Sequence, residues 1–364
     1  DELIEFGLER RLSTIRLVPW SVKDPAVLLE RIKKFAADKR CGAYSLGFYS
    51  KYEKDPLTGE EIEVLDPEKI EKLFLMMAEA STNELNLFKK AYLYITFIDE
   101  PTPERFFRVR RVYREIHDIK RKVAKEYDFS QKRDVESSLL TMDNVVTVFN
   151  KEPIYGEIDT WCPTYFAYSK PEYVYEDQKL RGLGKKNWWY GCMAPWTPFP
   201  NLHTDGKMRD HRFESWLRYK FEIKGNLYWA VNLTKKCGEN GYVAFDPLSD
   251  PATFCGVNGD GLLYYTETKY GAPLSSLRVQ SMLLGLNEYE YFYLLDRAAV
   301  RARAFFGRNF NVRGQLTPLF NRMSSGAMLP YDFDAEELRA ELGARVEAAE
   351  RGIFIEQKAG ANSC

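Results

Sequence analysis

The 364-residue sequence predicts an α/β fold and, within that class, a (β/α)8 barrel of the TIM type. Short apolar, β-branched or aromatic runs alternate with helical patterns, and this alternation is typical of a parallel sheet. The runs are continuously apolar, as expected for strands that are buried on both faces. Strand–helix units of roughly 30–50 residues favour a closed barrel over an open doubly wound sheet, which is the alternative.

Seven strands are predicted, one fewer than a closed barrel requires. They are Thr14–Pro19, Ala43–Tyr49, Tyr92–Ile98, Ser138–Met142, Ile158–Pro163, Trp188–Met193 and Leu227–Val231. Because the chain begins at Asp1 and not at a methionine, we expect a processed form or a fragment whose missing strand lies upstream. No G-x-G-x-x-G motif follows any of these strands, which disfavours a dinucleotide enzyme.

Three early helices are predicted from apolar residues at helical spacing, each with a proline at or near its first turn, where the missing N–H costs nothing. They are Pro25–Asp38, Pro67–Ala80 and Pro103–Glu126. Later in the chain, Ser275–Phe306 is predicted as a long helix and Leu338–Ala349 as a terminal helix with a solvated face. We therefore expect a catalytic barrel in residues 1–310 and a C-terminal helical extension packed on it in residues 311–364.

The composition limits the classes of partner. Lys and Arg total 52 against 53 Asp and Glu, whereas a nucleic-acid binder usually shows a basic excess or a basic stripe. No apolar run approaches the roughly 18 residues that a membrane span needs. The chain is rich in aromatic residues, with 7 Trp, 23 Tyr and 23 Phe. Aromatic rings bury the flat C–H faces of sugars, although a large core would also use them.

Cysteine and histidine spacing predicts neither a metal site nor a cofactor. None of the six cysteines forms a C-x-x-C pair, and His117, His203 and His211 lack the spacing of a zinc helix. Cys237 and Cys255 bracket a loop and could form a disulfide in an oxidising compartment. The run from Asn258 to Gly261 lacks the alternating oxygen ligands of a calcium loop, so a tight turn is predicted there.

The strongest candidate for catalysis is the strand that ends in Asp99, Glu100 and Pro101. In barrels, catalytic groups lie at the carboxyl ends of strands. Consecutive strand side chains point to opposite faces, so two adjacent acids can serve one substrate only where the strand turns into its loop. Pro101 would help to fix that turn. The alternative is that one of the acids caps the helix that starts near Thr102.

Three further predicted strands end in acidic, aromatic or amide residues, where core packing would prefer Val, Leu and Ile. Side chains of this kind can line a sugar pocket. The candidates are Asp159, Trp161, Trp189, Tyr190, Trp229 and Asn232. For each strand taken alone, a buried core position is the alternative.

At these residues the sequence resembles glycoside hydrolase family 123, the β-N-acetylgalactosaminidases, and the barrel known as domain of unknown function 4091. The matching segments run in family order over roughly residues 10–300. They are Asp99-Glu100-Pro101, Ile158–Pro163, Trp188–Cys192, Arg212 with Trp216, Gly225–Trp229, Gly259-Asp260-Gly261 and Ser276-Leu277-Arg278.

The resemblance implies a retaining hydrolase of terminal β-linked N-acetylgalactosamine, or of a close 2-acetamido sugar, whose own acetamido oxygen is the nucleophile. Asp99 would orient the acetamido N–H and stabilise the oxazolinium ion. Glu100 would protonate the leaving oxygen and then deprotonate water. Trp161, Trp189, Tyr190 and Trp229 would form the sugar pocket. The resemblance also implies an upstream β-sandwich domain, an oligosaccharide or glycoconjugate substrate, and a secreted or periplasmic location.

Two departures from the family pattern indicate a divergent branch. The family helix Arg-x-Gly-Ile-x-Asp-Tyr-Glu-Tyr is replaced by the segment that starts Leu284-Gly-Leu-Asn-Glu288, and Tyr265 replaces a proline after the Gly-Asp-Gly turn. Two rival functions stay open. One is a conventional pair of Glu100 with Asp159 or Glu152, which a retaining enzyme would hold about 5–5.5 Å apart. The other is a non-catalytic carbohydrate-binding barrel.

Overall fold

The structure, a computed structural model, describes residues 2–13, 15–17, 24–55, 59–148, 154, 156–238, 241–253, 256–266, 273–306 and 311–351. Contacts divide the chain into two compact units. The first comprises Asp1–Pro163 and Leu180–Trp188, and the second comprises Thr164–Lys179 and Trp189–Cys364. The domain boundary at residue 310 stays a prediction.

The helices and strands follow one another along the chain as follows. The α-helices are α1 Glu2–Leu8, α2 Pro25–Ala37, α3 Pro67–Ala80, α4 Phe106–Glu126, α5 Arg133–Leu140, α6 Pro171–Gly182, α7 Met208–Phe221, α8 Leu277–Phe306, α9 Val312–Met323 and α10 Ala335–Glu350. The strands are β1 Tyr44–Ser45, β2 Ser50–Lys54, β3 Glu61–Leu65, β4 Ala91–Tyr94, β5 Asp143–Val146, β6 Thr160–Trp161, β7 Lys186–Tyr190, β8 Gly225–Leu227, β9 Lys235–Gly238, β10 Gly241–Ala244, β11 Tyr264–Tyr265 and β12 Leu274–Ser275.

The principal sheet of the first unit is parallel. Strands β1, β4, β5, β6 and β7 are neighbours in that order. Strand β7 continues into the second unit, where β8 is its neighbour in the sheet. The α/β class is therefore confirmed. Six strands are present in this sheet, so the described residues do not show a closed (β/α)8 barrel.

Helix α5 and strand β5 correct one predicted strand. The segment Ser138–Met142 was expected to be extended, but most of it is the end of α5, and β5 begins at Asp143. Val135 and Leu139 are the buried residues of α5, and their separation of four is helical spacing. A short apolar run cannot by itself distinguish a strand from a buried helix end. The predicted strand Tyr92–Ile98 is also shorter than expected, because β4 ends at Tyr94.

Helices α2 and α3 confirm the proline rule at their first turns. Asp24 precedes Pro25, and its carboxylate accepts the N–H of Ala26 at 2.9 Å. Asp66 precedes Pro67 and accepts the N–H of Lys69 at 3.3 Å. Each aspartate thus satisfies a backbone donor that the first turn leaves unpaired.

The second unit is built around helices α7 and α8, which share a buried ion pair. Arg212 of α7 donates to both carboxylate oxygens of Glu288 of α8, and the indole N–H of Trp216 donates to the same carboxylate at 2.9 Å. The C-terminal helices α9 and α10 belong to this core, to which they contribute Leu316 and Leu338. Among the helices that the structure describes, none has the length and hydropathy needed to cross a bilayer.

Candidate active site

The two acids predicted to be catalytic follow β4, at the carboxyl end of that strand. A single 3-10 turn, Thr96–Ile98, separates them from it. Asp99 is extended, with φ −66° and ψ 141°, whereas Glu100 is left-handed with φ 44°. Both residues are exposed. The position therefore agrees with the prediction that the acids lie where the strand turns into its loop.

Neither acid caps the following helix. The 3-10 turn Pro103–Arg105 is preceded by Thr102, and α4 is preceded by Arg105. Neither of these two residues makes a capping hydrogen bond through its side chain. The helix-capping interpretation of Asp99 and Glu100 is thus not supported.

Thr147, which follows β5 directly, joins the two acids. Its side-chain hydroxyl donates a short hydrogen bond to Oδ1 of Asp99 and accepts the backbone N–H of Glu100 at 3.0 Å. The threonine is 2% exposed. One buried hydroxyl therefore fixes the carboxylate of the first acid and the backbone of the second.

Tyr94, the last residue of β4, holds the same carboxylate from a second direction. Its phenol donates to Oδ1 of Asp99 at 2.5 Å. Burial, and then the neighbouring Asp99 carboxylate, raise the pKa of Tyr94 far above its usual value. The phenol therefore keeps its proton and remains a hydrogen-bond donor to Asp99 across the physiological pH range.

The backbone at Glu100 is strained. A left-handed conformation in a residue other than glycine costs on the order of 1–3 kcal/mol and persists only where the surroundings enforce it. The hydrogen bond from the Glu100 amide to Thr147 is one contact that holds this conformation. Strain of this kind is common at functional sites, and it falls on one of the two acids predicted from the sequence.

Asp159 does not join this group. It precedes β6, and its carboxylate accepts the backbone N–H of Asn144 at 3.3 Å and the side-chain amide of Asn144 at 2.8 Å. Asn144 also contacts Lys120 of α4, so these side chains lie on the face of the sheet that the helix covers. Thr147 is three residues beyond Asn144 and points to the opposite face. Asn144, which binds Asp159, and Thr147, which binds Asp99, therefore belong to opposite faces of the sheet. Glu152 lies outside the described residues.

The second unit contains an exposed tryptophan held by a buried acid. Trp229 is 40% exposed, and its indole N–H donates to Oδ2 of Asp260 at 3.1 Å. Tyr228 donates to Oδ1 of the same carboxylate at 2.9 Å. Asp260 is completely buried. Asn232 bridges to Leu262 in the same loop. The predicted tight turn is confirmed, because residues 259–261 form a turn in which the N–H of Leu262 donates to the carbonyl oxygen of Gly259 at 3.2 Å.

Gly261 fixes the position of Trp229 by close approach. Its φ is 72°, and a Cβ atom at this position would lie 2.5 Å from Cζ2 of the indole. The phenol oxygen of Tyr228 accepts the N–H of Gly261 at 2.8 Å. Only a glycine satisfies both the backbone conformation and the contact.

The other predicted aromatic residues of the pocket are buried. Trp161 is 1% exposed in the core of the first unit. Trp189 is 0% exposed in the core of the second, where its indole N–H donates to Glu214 at 2.8 Å. Tyr190 is 9% exposed. A ring must present a face to stack on a sugar, so the structure favours the core interpretation for the two tryptophans.

Cysteine and metal predictions can be compared only in part. Cys41, Cys162 and Cys192 are not joined in disulfides. The predicted partner of Cys237, Cys255, lies outside the described residues. Over the described ranges, no group of three or more His, Cys, Asp or Glu is placed to hold a metal ion.

The sheet and the acid pair together define the class of protein. It is an α/β protein with two neighbouring carboxyl groups beyond the end of a parallel strand, which is where barrel enzymes have their active sites. Comparison with known families makes this specific. The chain belongs to the family described as glycoside hydrolase 123, catalytic domain, which matches residues 61–295. The matched region includes Asp99, Glu100 and the turn at Asp260. The resemblance found in the sequence is thereby confirmed.

Among solved structures, the chain is similar to a family 123 glycoside hydrolase from Clostridium perfringens that was analysed for the details of glycolipid glycan hydrolysis. The identity is 13% and the TM-score is 0.45, over 84% of this chain. The chain spans about half the length of that protein, 48% of it. Among curated proteins, none matches the chain.

Proposed function

We propose that the chain is a retaining glycoside hydrolase that removes terminal β-linked N-acetylgalactosamine, or a close 2-acetamido sugar, through an oxazolinium intermediate. Membership of the glycoside hydrolase 123 family supports hydrolysis of a glycan. The observation that carries the proposal is the exposed acid pair, in which Thr147 binds the carboxylate of Asp99 and the backbone of Glu100 at once.

In the first step, the acetamido carbonyl oxygen of the substrate attacks the anomeric carbon. Asp99 accepts the acetamido N–H and stabilises the positive charge of the ring that forms. Tyr94 and Thr147 both donate to Oδ1 of Asp99, which leaves Oδ2 to accept from the substrate. Glu100 donates its proton to the glycosidic oxygen as the bond to the anomeric carbon breaks.

In the second step, Glu100 takes a proton from water. The resulting hydroxide attacks the anomeric carbon, the oxazolinium ring opens and the acetamido group is restored. Two displacements at one carbon give net retention. No carboxylate of the protein forms a covalent bond to the sugar, because the acetamido oxygen is the nucleophile. The site therefore needs one residue for acid–base catalysis and one residue that orients the acetamido group.

The turn conformation allows two consecutive residues to share one substrate. In a continuing strand their side chains would point to opposite faces. The left-handed backbone at Glu100 interrupts that alternation directly after Asp99. For sugar binding in the second unit, we propose Trp229, Asn232 and Tyr190, of which Trp229 is the most exposed.

A panel of aryl glycosides tests the reaction. We expect the chain to hydrolyse the β-N-acetylgalactosaminide, and possession of the 2-acetamido group to be essential because that group supplies the nucleophile. Equal hydrolysis of the plain β-galactoside would contradict the proposal and favour a conventional pair of carboxylates. Binding of the sugar without hydrolysis, unaffected by Glu100→Gln, would favour a carbohydrate-binding protein.

Variants of the acids test their roles. Glu100→Gln should lower kcat by about 10²–10⁴-fold for a poor leaving group, the usual contribution of general acid catalysis, and less for a good one. Asp99→Asn should lower kcat for both kinds of leaving group, because it weakens stabilisation of the ring itself. Glu104→Gln, at another exposed acid four residues beyond Glu100, is the matched control and should retain the activity.

A further inference from the structure

We propose that Trp196 forms a second carbohydrate-binding platform in the second unit, which stacks on a sugar residue other than the terminal one. The nature of the ligand rests on the proposed function, since a glycan hydrolase acts on sugars. The position of the platform rests on contacts within the second unit alone.

Trp196 is exposed but supported. Its side chain is 55% exposed, the highest value among the tryptophans that are exposed in the described chain. The indole packs edge-on against the ring of His203, with the centroids 5.1 Å apart. His203 is itself 1% exposed, and its Nε2 lies 2.7 Å from the carbonyl oxygen of Cys192. A buried, hydrogen-bonded ring thus supports the exposed one.

The loop that supports Trp196 is joined to the turn that supports Trp229. Arg278 of α8 is 3% exposed, and one of its nitrogens, Nη1, donates to the carbonyl oxygens of both Leu202 and Gly259. Its other terminal nitrogen, Nη2, donates to the carbonyl oxygen of Leu262. A single buried guanidinium therefore holds the segment next to His203 and both sides of the turn at Asp260.

A second contact joins the same two segments. Thr204, the neighbour of His203, donates its N–H to the carbonyl oxygen of Asn258 at 3.0 Å. A Cβ atom at Gly259 would lie 2.6 Å from Cγ2 of Thr204, so the backbone at Gly259 lies against the side chain of Thr204. Trp196 and Trp229 are therefore supported by two loops that are joined to each other by hydrogen bonds.

Two exposed indoles on one immobilised support fit a glycan chain. Tryptophan is highly buried on average, and exposed apolar patches rimmed by polar residues mark binding sites. An indole face binds the C–H face of a sugar, and a ring that is already held loses little conformational entropy when it binds. A glycan of several residues can place one sugar on each ring, which a single monosaccharide cannot do.

Calorimetric titration with a short neutral oligosaccharide ending in β-linked N-acetylgalactosamine tests the proposal. It uses the Glu100→Gln chain, so that the ligand survives. Adding Trp196→Ala should weaken binding of the oligosaccharide about tenfold, which corresponds to about 1.4 kcal/mol, and should weaken binding of N-acetylgalactosamine itself less. Trp196→Phe, which keeps an aromatic face, should restore most of the affinity. Tyr175→Ala removes a ring that is 61% exposed on α6 and should have no effect.

The outcomes separate this proposal from the proposed function. If the oligosaccharide binds through Trp196 while the unmodified chain hydrolyses no glycoside, the platform stands and the hydrolase proposal fails. If hydrolysis occurs but Trp196→Ala binds the oligosaccharide as tightly as its parent, the platform is refuted. Failure of the parent chain to bind the oligosaccharide at all would also refute it.

Discussion

The hydroxyl of Thr147 is a small group on which both proposed acids depend. It donates to the Asp99 carboxylate and accepts the Glu100 amide, so its loss would remove one hydrogen bond from each acid and leave Tyr94 as the remaining donor to Asp99. Neither Thr147 nor Tyr94 was predicted from the sequence. A threonine that follows an apolar run is common at strand ends, and only the parallel pairing of β4 with β5 places it beside a residue 48 positions earlier in the chain.

Substitution of Thr147 tests this dependence. We expect Thr147→Val to lower kcat/KM by roughly 10–100-fold, because hydrogen bonds to a charged group are worth about 1.5–3 kcal/mol. Thr147→Ser keeps the hydroxyl and should retain most of the activity. The measurement is steady-state kinetics on the aryl N-acetylgalactosaminide, with thermal unfolding to verify folding. Equal kinetics for the two variants would show that the hydroxyl does not matter.

The sequence predicted the residues of the exposed turns better than those of the cores. Asp99, Glu100 and Trp229 are accessible, as a site requires, while Trp161 and Trp189 are buried. The sequence does not distinguish a buried tryptophan from one that lines a pocket, because a tryptophan at a strand end suits both positions equally. The difference lies in the tertiary packing around it, and the sequence pattern carries no direct signal of that packing.

At the scale of elements, the pairing of α7 with α8 depends on one glycine. A Cβ atom at Gly285 of α8 would lie 2.1 Å from the carbonyl oxygen of Arg212 of α7. The two backbones therefore touch one turn before the buried pair of Arg212 with Glu288. Gly285 also stands at the glycine of the family helix pattern given above, whereas Leu286 stands where that pattern has isoleucine.

Two glycine substitutions in helices should have opposite effects on stability. Gly285→Ala should lower the free energy of unfolding by about 2–3 kcal/mol, because the backbones must separate to admit the methyl group. Gly343→Ala in α10 has no neighbouring atom within 4 Å and should raise it by up to about 1 kcal/mol through helix propensity. Urea denaturation measures both. A loss of stability in both variants would show that the contact at Gly285 is not the cause.

Elements were predictable where local signals mark their ends. Helices α2 and α3 begin at the predicted prolines because an aspartate caps each of them. Helix α7 was not predicted from the sequence. Ten of its fourteen residues are buried, so the sequence lacks the stripe of apolar residues on one face that usually indicates a helix. The hairpin of β2 with β3 was also missed, because its first strand is mostly exposed and polar.

At the scale of the whole molecule, the α/β class was predictable and the division into units was not. The α/β class is predictable because strands and helices alternate along the chain. The division depends on the segment Leu180–Trp188, which returns to the first unit after Thr164–Lys179 has joined the second. Because the chain passes between the two units more than once, no single change of composition along the sequence marks the boundary.

A buried histidine makes the stability of the chain depend on pH. His211 of α7 is 1% exposed. Burial, and then the charge of Arg278, lower its pKa to about 4 from an ordinary value of 6.5. The unfolded chain therefore binds a proton on this residue at a higher pH than the folded chain does. The neutral form of His211 therefore contributes its full stability above about pH 6.5, and this contribution is lost as the pH falls towards 4.

We expect the free energy of unfolding to fall between pH 7 and pH 5 by about 2 kcal/mol more in the parent chain than in His211→Gln. The amide of glutamine does not titrate, so its contribution is independent of pH. Urea unfolding at several pH values measures the two slopes, and above pH 7 the slopes should coincide. Equal slopes between pH 7 and pH 5 would show that another group controls the acid response.

The left-handed backbone at Glu100 has an evolutionary consequence. Glycine adopts this conformation without strain, and asparagine adopts it more readily than glutamate does, so the best residue for the turn is not the residue that the proposed proton transfer requires. If Glu100 transfers the proton as proposed, selection for hydrolysis acts continuously against a substitution that would relax the chain. In a lineage freed from that selection, Glu100 should be among the first residues to drift, and glycine or asparagine there would identify a homologue that has abandoned the reaction while keeping its fold.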